Sequence, residues 1–348
     1  FWLKKQGSGR QWGGMASGGS LASISEDVCV NTAWGGMAFS DAIPAGEFYE
    51  EYHGHRVAHL EALHARLRQA GAARFIFLAG DSSLDNKHWF FSRMFEKRQQ
   101  LSATSDFVDH AVNGYEQVLS PPFMVKDVCY WLNQECAQRA AHHAHTCAIN
   151  TAVEESCLSQ REVSGLLPQD EFIRRHISEE DLLVVDVGGN DVALRPTIGV
   201  IINMALLIYA TPTACIRASL APGLLYFVHM FRIRLRRYIQ KLISVRKPKK
   251  VVVCMLYFLD ERSGGSWADM VLEKLGYDAN PTKLQTVMRK VYAWGVSQIH
   301  LEGVDVVPLP LYEVLDGKDS SDYVQRVEPS VTGGQKMARA IAEKLFEC

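Results

Sequence analysis

Two short polar stretches, each closing an apolar run, carry residue types suited to attack on a carbonyl. Gly80-Asp81-Ser82-Ser83 follows the run at 74–79, and Gly188-Gly189-Asn190-Asp191 follows "LLVVDV" at 182–187. A serine on a strand-to-helix turn presents its hydroxyl beside backbone N–H groups, where an attacking oxygen belongs. An asparagine amide at the same rim can hold the negative charge that develops on the carbonyl, a contact worth ~3 kcal/mol in comparable sites. The chemistry is acyl transfer, and it also needs a proton acceptor. The plain alternative is that Ser82 caps the following helix. "GDSS" alone favours the cap, whereas "GGND" beside it favours the nucleophile.

Those residues need elements to position them. Apolar runs at 74–79, 147–150, 182–187, 251–258 and 304–309 read as buried strands. Val57, Leu60, Leu63 and Leu67 fall at helical spacing, as do Leu284, Val287, Met288 and Val291. A last helix carries Met337, Ile341 and Leu345, and Thr332 with Gln335 has the spacing of a capping box. Strands alternating with helices predict an α/β fold whose parallel sheet is covered on both faces. Ligands of such sheets gather at the carboxyl ends of the strands.

On these motifs the chain resembles the SGNH hydrolases, the GDSL-type lipases and esterases. Gly80-Asp81-Ser82 matches their first block and Gly188-Gly189-Asn190-Asp191 their third, and the resemblance spans roughly residues 70–346. It implies a three-layer αβα sandwich around a central, mostly parallel five-stranded sheet. It also implies Ser82 as nucleophile, with its own N–H and the Asn190 amide as oxyanion donors. Ser83 is the less suited hydroxyl, because the family pattern puts the reactive serine directly after the aspartate. Gly80 and Gly189 then shape the two turns, and Asp81 and Asp191 tie down their loops. The second family block, a glycine donating to the oxyanion, has two placements: Gly114 in "HAVNGYEQVL", or Glu155 in Asn150-Thr151-Ala152-Val153-Glu154-Glu155. Strand order favours the latter, with the bland reading that both glutamates are solvated helix-start acids.

The last block departs further. Pro329-Ser330 and Gly333 match, which puts Glu328 at the family's histidine position and Gln325 at its aspartate position. A carboxylate, with an ordinary pKa of ~4.3, is a weaker base than imidazole, and burial raises it. Three accounts stand. Glu328 acts directly as base; a histidine such as His88 or His300 reaches the site; or the fold binds without cleaving.

The remaining features set bounds. Of the 348 residues 47% are hydrophobic and 22% charged, as expected for a folded domain of this length, and the net charge of -2 gives no case for a nucleic-acid partner. The eight cysteines are scattered without a Cys-x-x-Cys pair and read as reduced thiols. His142, His143 and His145 fit no standard zinc spacing, so no metal is expected. The resemblance implies no cofactor. Residues 1–45 read as a flexible start and 46–348 as one domain, with insertions around 115–146 and 196–245. Residues 196–216 carry no charge, yet their place between two sheet strands argues against a bilayer span. Between Asp191 and Asp260 the chain has no acidic residue, while Arg and Lys recur, densely over 232–250. That insertion reads as an apolar cap with a basic rim, able to contact an acyl substrate or an anionic membrane. The expected function is hydrolysis of a carboxylic ester, lipidic or otherwise bulky. The alternative is an inactive binding protein of the same fold. A soluble cytoplasmic or organellar setting is favoured.

Overall fold

The computed structural model describes residues 42–91 and 106–347. Of the segment read as a flexible start, residues 1–41 lie outside the described residues, and Ile43–Pro44 pairs in parallel with Leu119–Ser120. The central sheet consists of β1 (Arg74–Gly80), β2 (Thr146–Asn150), β3 (Leu182–Asp186), β4 (Lys250–Met255) and β5 (Asp305–Pro310), in the spatial order β2-β1-β3-β4-β5. Every pairing in it is parallel. The longer helices are α1 (Val57–Gln69), α2 (Val128–Arg139), α3 (Pro168–His176), α4 (Ile198–Ala205), α5 (Pro222–His229), α6 (Leu235–Leu242), α7 (Pro281–Trp294) and α8 (Val331–Phe346).

Strand alternation sorts the core into two layers. Phe75, Phe77, Leu183 and Val251 pack with buried residues of α1, α3, α6 and α7. Ile76, Leu78, Val184 and Val252 pack with α2 and α8. The fold is therefore a three-layer αβα sandwich, as the apolar runs and helical spacings predicted. Leu60, Leu63 and Leu67 form the buried stripe of α1, and Leu284, Val287, Met288 and Val291 that of α7. The fourth strand ends at Met255, short of the expected 258, because Leu256 and Tyr257 leave the sheet to wall the cavity described below.

Two expectations are corrected, for 115–146 and for the cap of the last helix. Helix α2, inside the stretch read as an insertion at 115–146, is a layer element packed on α8 and the sheet. The charge-free run at 196–216 does not continue as one helix. It breaks at Pro212, whose missing N–H cannot extend the ladder, and among the described residues no helix is long and apolar enough to cross a membrane. The cap of α8 is Ser330, not Thr332: its Oγ accepts from the Gly333 N–H at 3.1 Å and donates to Ser321 O at 2.6 Å.

That first turn of α8 tolerates only glycine at 333. A Cβ there would stand 2.1 Å from Asp322 O, a backbone atom that cannot swing aside. Gly333→Ala is expected to cost about 3 kcal/mol, at the upper end for overpacking. The drop in the urea midpoint measures it; an unchanged midpoint would contradict the packing described.

Candidate active site

The two motifs meet where the strand order reverses. The chain runs from β1 outward to β2, then returns across β1 to β3, so a crevice opens between the carboxyl ends of β1 and β3. Ser82 lies on the first of those ends and Asn190 on the second. Gly80, the last residue of β1, has no room for a side chain, since a Cβ would meet Leu84 Cδ1 at 2.7 Å and Asp186 O at 2.9 Å. The chain beyond it makes a single turn, with the N–H groups of Leu84 and Asp85 donating to Asp81 O. Ser82 sits inside this turn and starts no helix, so the capping alternative does not apply.

The Ser82 hydroxyl donates to Glu328 Oε1 at 3.1 Å. Both residues line one cavity of about 140 Å³, together with Asp81, Gly189 and Asn190. Its remaining wall is largely apolar, built from Met204, Phe227, Phe231, Val271, Met288 and Val291 among others. Asn190 Nδ2 donates one hydrogen to Ser156 O at 3.1 Å, which fixes the amide and leaves its second hydrogen free of that bond. Asp191 accepts the N–H groups of Leu158 and Ser159 at 2.6 and 2.8 Å, pinning the loop after β2 to the turn after β3. Gly188, at φ +115°, leaves space that Phe231 fills, since a Cβ there would be 2.8 Å from that ring.

The electrostatics are dominated by buried acids. Glu328 is 5% exposed, and its Oε2 has no hydrogen-bond partner among the described residues. Burial, followed by the nearby Asp81 charge, holds its pKa well above the ordinary carboxylate range, against the lowering effect of the Ser82 hydroxyl. Ser83 Oγ stands 3.0 Å from Asp81 Oδ1 and 2.9 Å from Asp186 Oδ2. The single Ser83 hydroxyl hydrogen is shared between these two buried carboxyls. Burial raises Asp81 to about 6 and Asp186, further raised by Asp81, to about 7. Glu154 is pushed up to about 10 by burial and then by Glu328, which makes it a neutral carboxylic acid at pH 7.

Other expected residues are placed elsewhere. Glu155 has the left-handed backbone, φ +58°, that glycine adopts without strain. Its side chain, however, accepts from Tyr52 Oη at 3.0 Å, pairs with Arg195 at 3.0 Å, and lines a second cavity of about 290 Å³ rather than that of Ser82. The alternative placement, Gly114, is corrected. Its neighbour Asn113 bonds to Thr146 O, at the amino-terminal start of β2, so Gly114 lies at the far end of the sheet from Ser82. Gln325, at the expected aspartate position, is exposed. His300 precedes the amino-terminal end of β5 and is exposed, again at the wrong end of the sheet. His88 packs edge-on against Tyr52 with ring centroids 4.4 Å apart. Among the described residues no histidine lines the Ser82 cavity.

The residues that hold Glu328 in place were not foreseen. Asn86 Nδ2 donates to Pro329 O at 2.8 Å, tying the Glu328 strand to the Ser82 turn. Tyr257 Oη donates to Val327 O at 2.6 Å. Arg326, buried at φ +66°, pairs with Asp269 and Asp278 at 2.8 Å each and donates to Asp260 O, which clamps the hairpin that carries Glu328. Asp85, ion-paired with buried Lys87 at 2.5 Å, accepts the N–H groups of Gly54 and Glu154 and fixes the loop after β2. Among the described residues no group of three or more His, Cys, Asp or Glu side chains could hold a metal ion, and the cysteines at 129, 136, 147, 157, 215 and 254 are free thiols.

No family model matches the chain, and no curated protein does. Solved structures do resemble it in part. An extracellular lipase from Streptomyces rimosus is 15% identical, with 79% of this chain and all of that one covered at a TM-score of 0.36. A carbohydrate acetylesterase from Sinorhizobium meliloti is 13% identical, with 78% and 98% covered at a TM-score of 0.40. An aryl esterase from M. smegmatis is 14% identical, with 78% and 98% covered at a TM-score of 0.37. Likeness at this level carries no functional argument.

Proposed function

We propose that this chain is an SGNH-type hydrolase that cleaves carboxylic esters, with Ser82 as nucleophile and Glu328 as its base. The observation that carries this reading is the 3.1 Å hydrogen bond between a serine and a buried carboxylate 246 residues apart, at the floor of an apolar cavity. In the reaction, Ser82 Oγ attacks the ester carbonyl carbon while its proton passes to Glu328 Oε1. The oxyanion takes hydrogen bonds from the Ser82 N–H and the Asn190 amide. Collapse of the adduct breaks the bond to the alkoxy oxygen, which leaves as the alcohol with the proton from Glu328. Water then attacks the acyl-serine, giving a proton to Glu328; collapse breaks the bond between the acyl carbon and Ser82 Oγ, which takes that proton back from Glu328 as the carboxylic acid departs.

The raised pKa of Glu328 has a direct consequence. Protonated Glu328 cannot accept the serine proton, so kcat/KM must rise with pH through a value well above the ordinary carboxylate range. The pH profile of p-nitrophenyl butyrate hydrolysis tests this. A rising limb above the ordinary carboxylate range, absent in Glu328→Gln, is the expected result; a rate independent of pH across that range would contradict it. The same property favours a second reading, binding without cleavage, in which Glu328 stays protonated at working pH and the pocket only holds an acyl group. Hydrolysis that is absent even at alkaline pH would select that reading.

The cavity also sets the acyl group. A dry protein cavity of ~150 Å³ holds a benzene ring, so about 140 Å³ suits an acyl group of comparable size. Val271, half-buried at the wall, offers a way to fill the space. Val271→Trp is expected to lower kcat/KM for the hexanoyl ester by about tenfold or more while sparing the acetyl ester, because pocket misfits cost ~1–3 kcal/mol. Equal losses on both esters would place the acyl group elsewhere.

A further inference from the structure

The α4–α5 hairpin has two apolar faces, and the site uses only one. Met204 and Phe227 on the inner face wall the Ser82 cavity. On the outer face Ile198, Ile201, Ile202, Leu206 and Tyr209 recur at three- and four-residue spacing, each between 42% and 78% exposed. Leu225 of α5, 62% exposed, extends the patch. Isolated exposed apolar residues are ordinary, but a continuous stripe along one helix marks a surface built to meet something.

Charge identifies the partner. The chain has no acidic residue between Asp191 and Asp260, while arginines stand at both ends of the stripe. Gly199 meets the Tyr226 ring and Gly223 meets Asn203 O, so α5 runs antiparallel to α4. Arg217 therefore lies in the turn beyond Tyr209, and Arg232 lies past the Ile198 end; both are exposed. Part of the basic segment at 232–250 is already engaged, Arg234 with Glu162 and Lys250 with the Lys344 and Glu347 carbonyls. The contact surface is thus the hairpin stripe with its arginine ends, not the basic segment alone.

We propose that this face docks on an anionic lipid surface. Apolar side chains enter the interfacial region while the arginines meet lipid phosphates and carboxylates. Docking would place the two helices that wall the acyl cavity against the lipid.

Sedimentation with vesicles tests this, using phosphatidylcholine alone or with one-third phosphatidylserine. The chain is expected to sediment with the anionic vesicles and far less with the neutral ones. Ile201→Asp with Ile202→Asp should weaken binding by about tenfold or more. Arg217→Ala with Arg232→Ala should weaken it by about 25-fold, roughly fivefold per charge. None of the four lines the Ser82 cavity, so hydrolysis of a soluble short ester should be unchanged in both variants, which also shows that they fold. Failure to bind anionic vesicles would overturn the proposal, as would binding that neither variant weakens. A solution dimer that Ile201→Asp with Ile202→Asp dissociates, without vesicle binding, would assign the face to a second copy and equally overturn it.

Discussion

Ser82→Ala is expected to lower kcat on p-nitrophenyl hexanoate by about 10⁴-fold or more, to the residual level that oxyanion stabilisation and binding alone provide. The loss should fall on kcat, with little change in KM, because most of the cavity wall that takes the acyl chain is apolar and is unaltered by the substitution. Ser83→Ala is the control. Ser83 also lines the cavity, but its hydroxyl is committed to Asp81 and Asp186 and so is not free to attack. Its removal leaves two buried carboxyls without their shared hydroxyl and should reduce stability by about 1–3 kcal/mol while leaving substantial activity. Steady-state kinetics beside chemical melts separate the two effects. Activity that survives Ser82→Ala but not Ser83→Ala would reverse the assignment.

The second large effect concerns Glu328. Glu328→Gln keeps the shape and removes the base, and general-base catalysis contributes about 10²–10⁴-fold; a loss in that range is expected in kcat/KM. Glu328→His puts an imidazole in place of the carboxylate, and it should regain part of the loss, with the rising limb moved towards ~6.5. Full recovery is not expected, because Gln325, where an orienting aspartate would stand, is exposed. The same substitution has an opposite effect on stability. The folded-state pKa of Glu328 lies above its unfolded value, so between those two values the folded form holds a proton that the unfolded form has released. Its stabilising contribution is full at low pH and is lost as pH rises through the folded pKa. Glu328→Gln should therefore melt at a higher temperature than wild type at alkaline pH, with the difference closing below about pH 4. Scanning calorimetry at two pH values checks the sign, and a variant less stable at alkaline pH would contradict it.

The parts of this fold that were legible in the sequence are those whose cause is local. Each central strand is a short apolar run bounded by polar turns, and Leu60, Leu63 and Leu67 or Leu284, Val287 and Val291 declare their helices by spacing alone. Ser82 and Asn190 were legible because each closes such a run. Glu328 was legible only through its neighbours Pro329 and Ser330. What was hidden depends on contacts between distant segments. Asn86 and Tyr257 act on the carbonyls of Pro329 and Val327, and a backbone acceptor leaves no mark in side-chain chemistry. Arg326 looks like an ordinary surface cation until Asp269 and Asp278 are brought to it. Glu155 holds a backbone conformation that glycine favours, and its side chain bonds to Tyr52 and Arg195, neither of which its neighbours in sequence announce. Gly114 was a plausible donor by local spelling, and only the direction of β2 shows it at the wrong end of the sheet.

In the proposed reaction Ser82 becomes covalently acylated, with Glu328 as its proton acceptor. Mass spectrometry of the protein quenched during turnover of p-nitrophenyl hexanoate, followed by peptide mapping, tests it most directly. An added hexanoyl group is expected on the peptide containing Ser82, reduced to background in Glu328→Gln. An unmodified protein during active turnover, or the acyl group on any other residue, would contradict it.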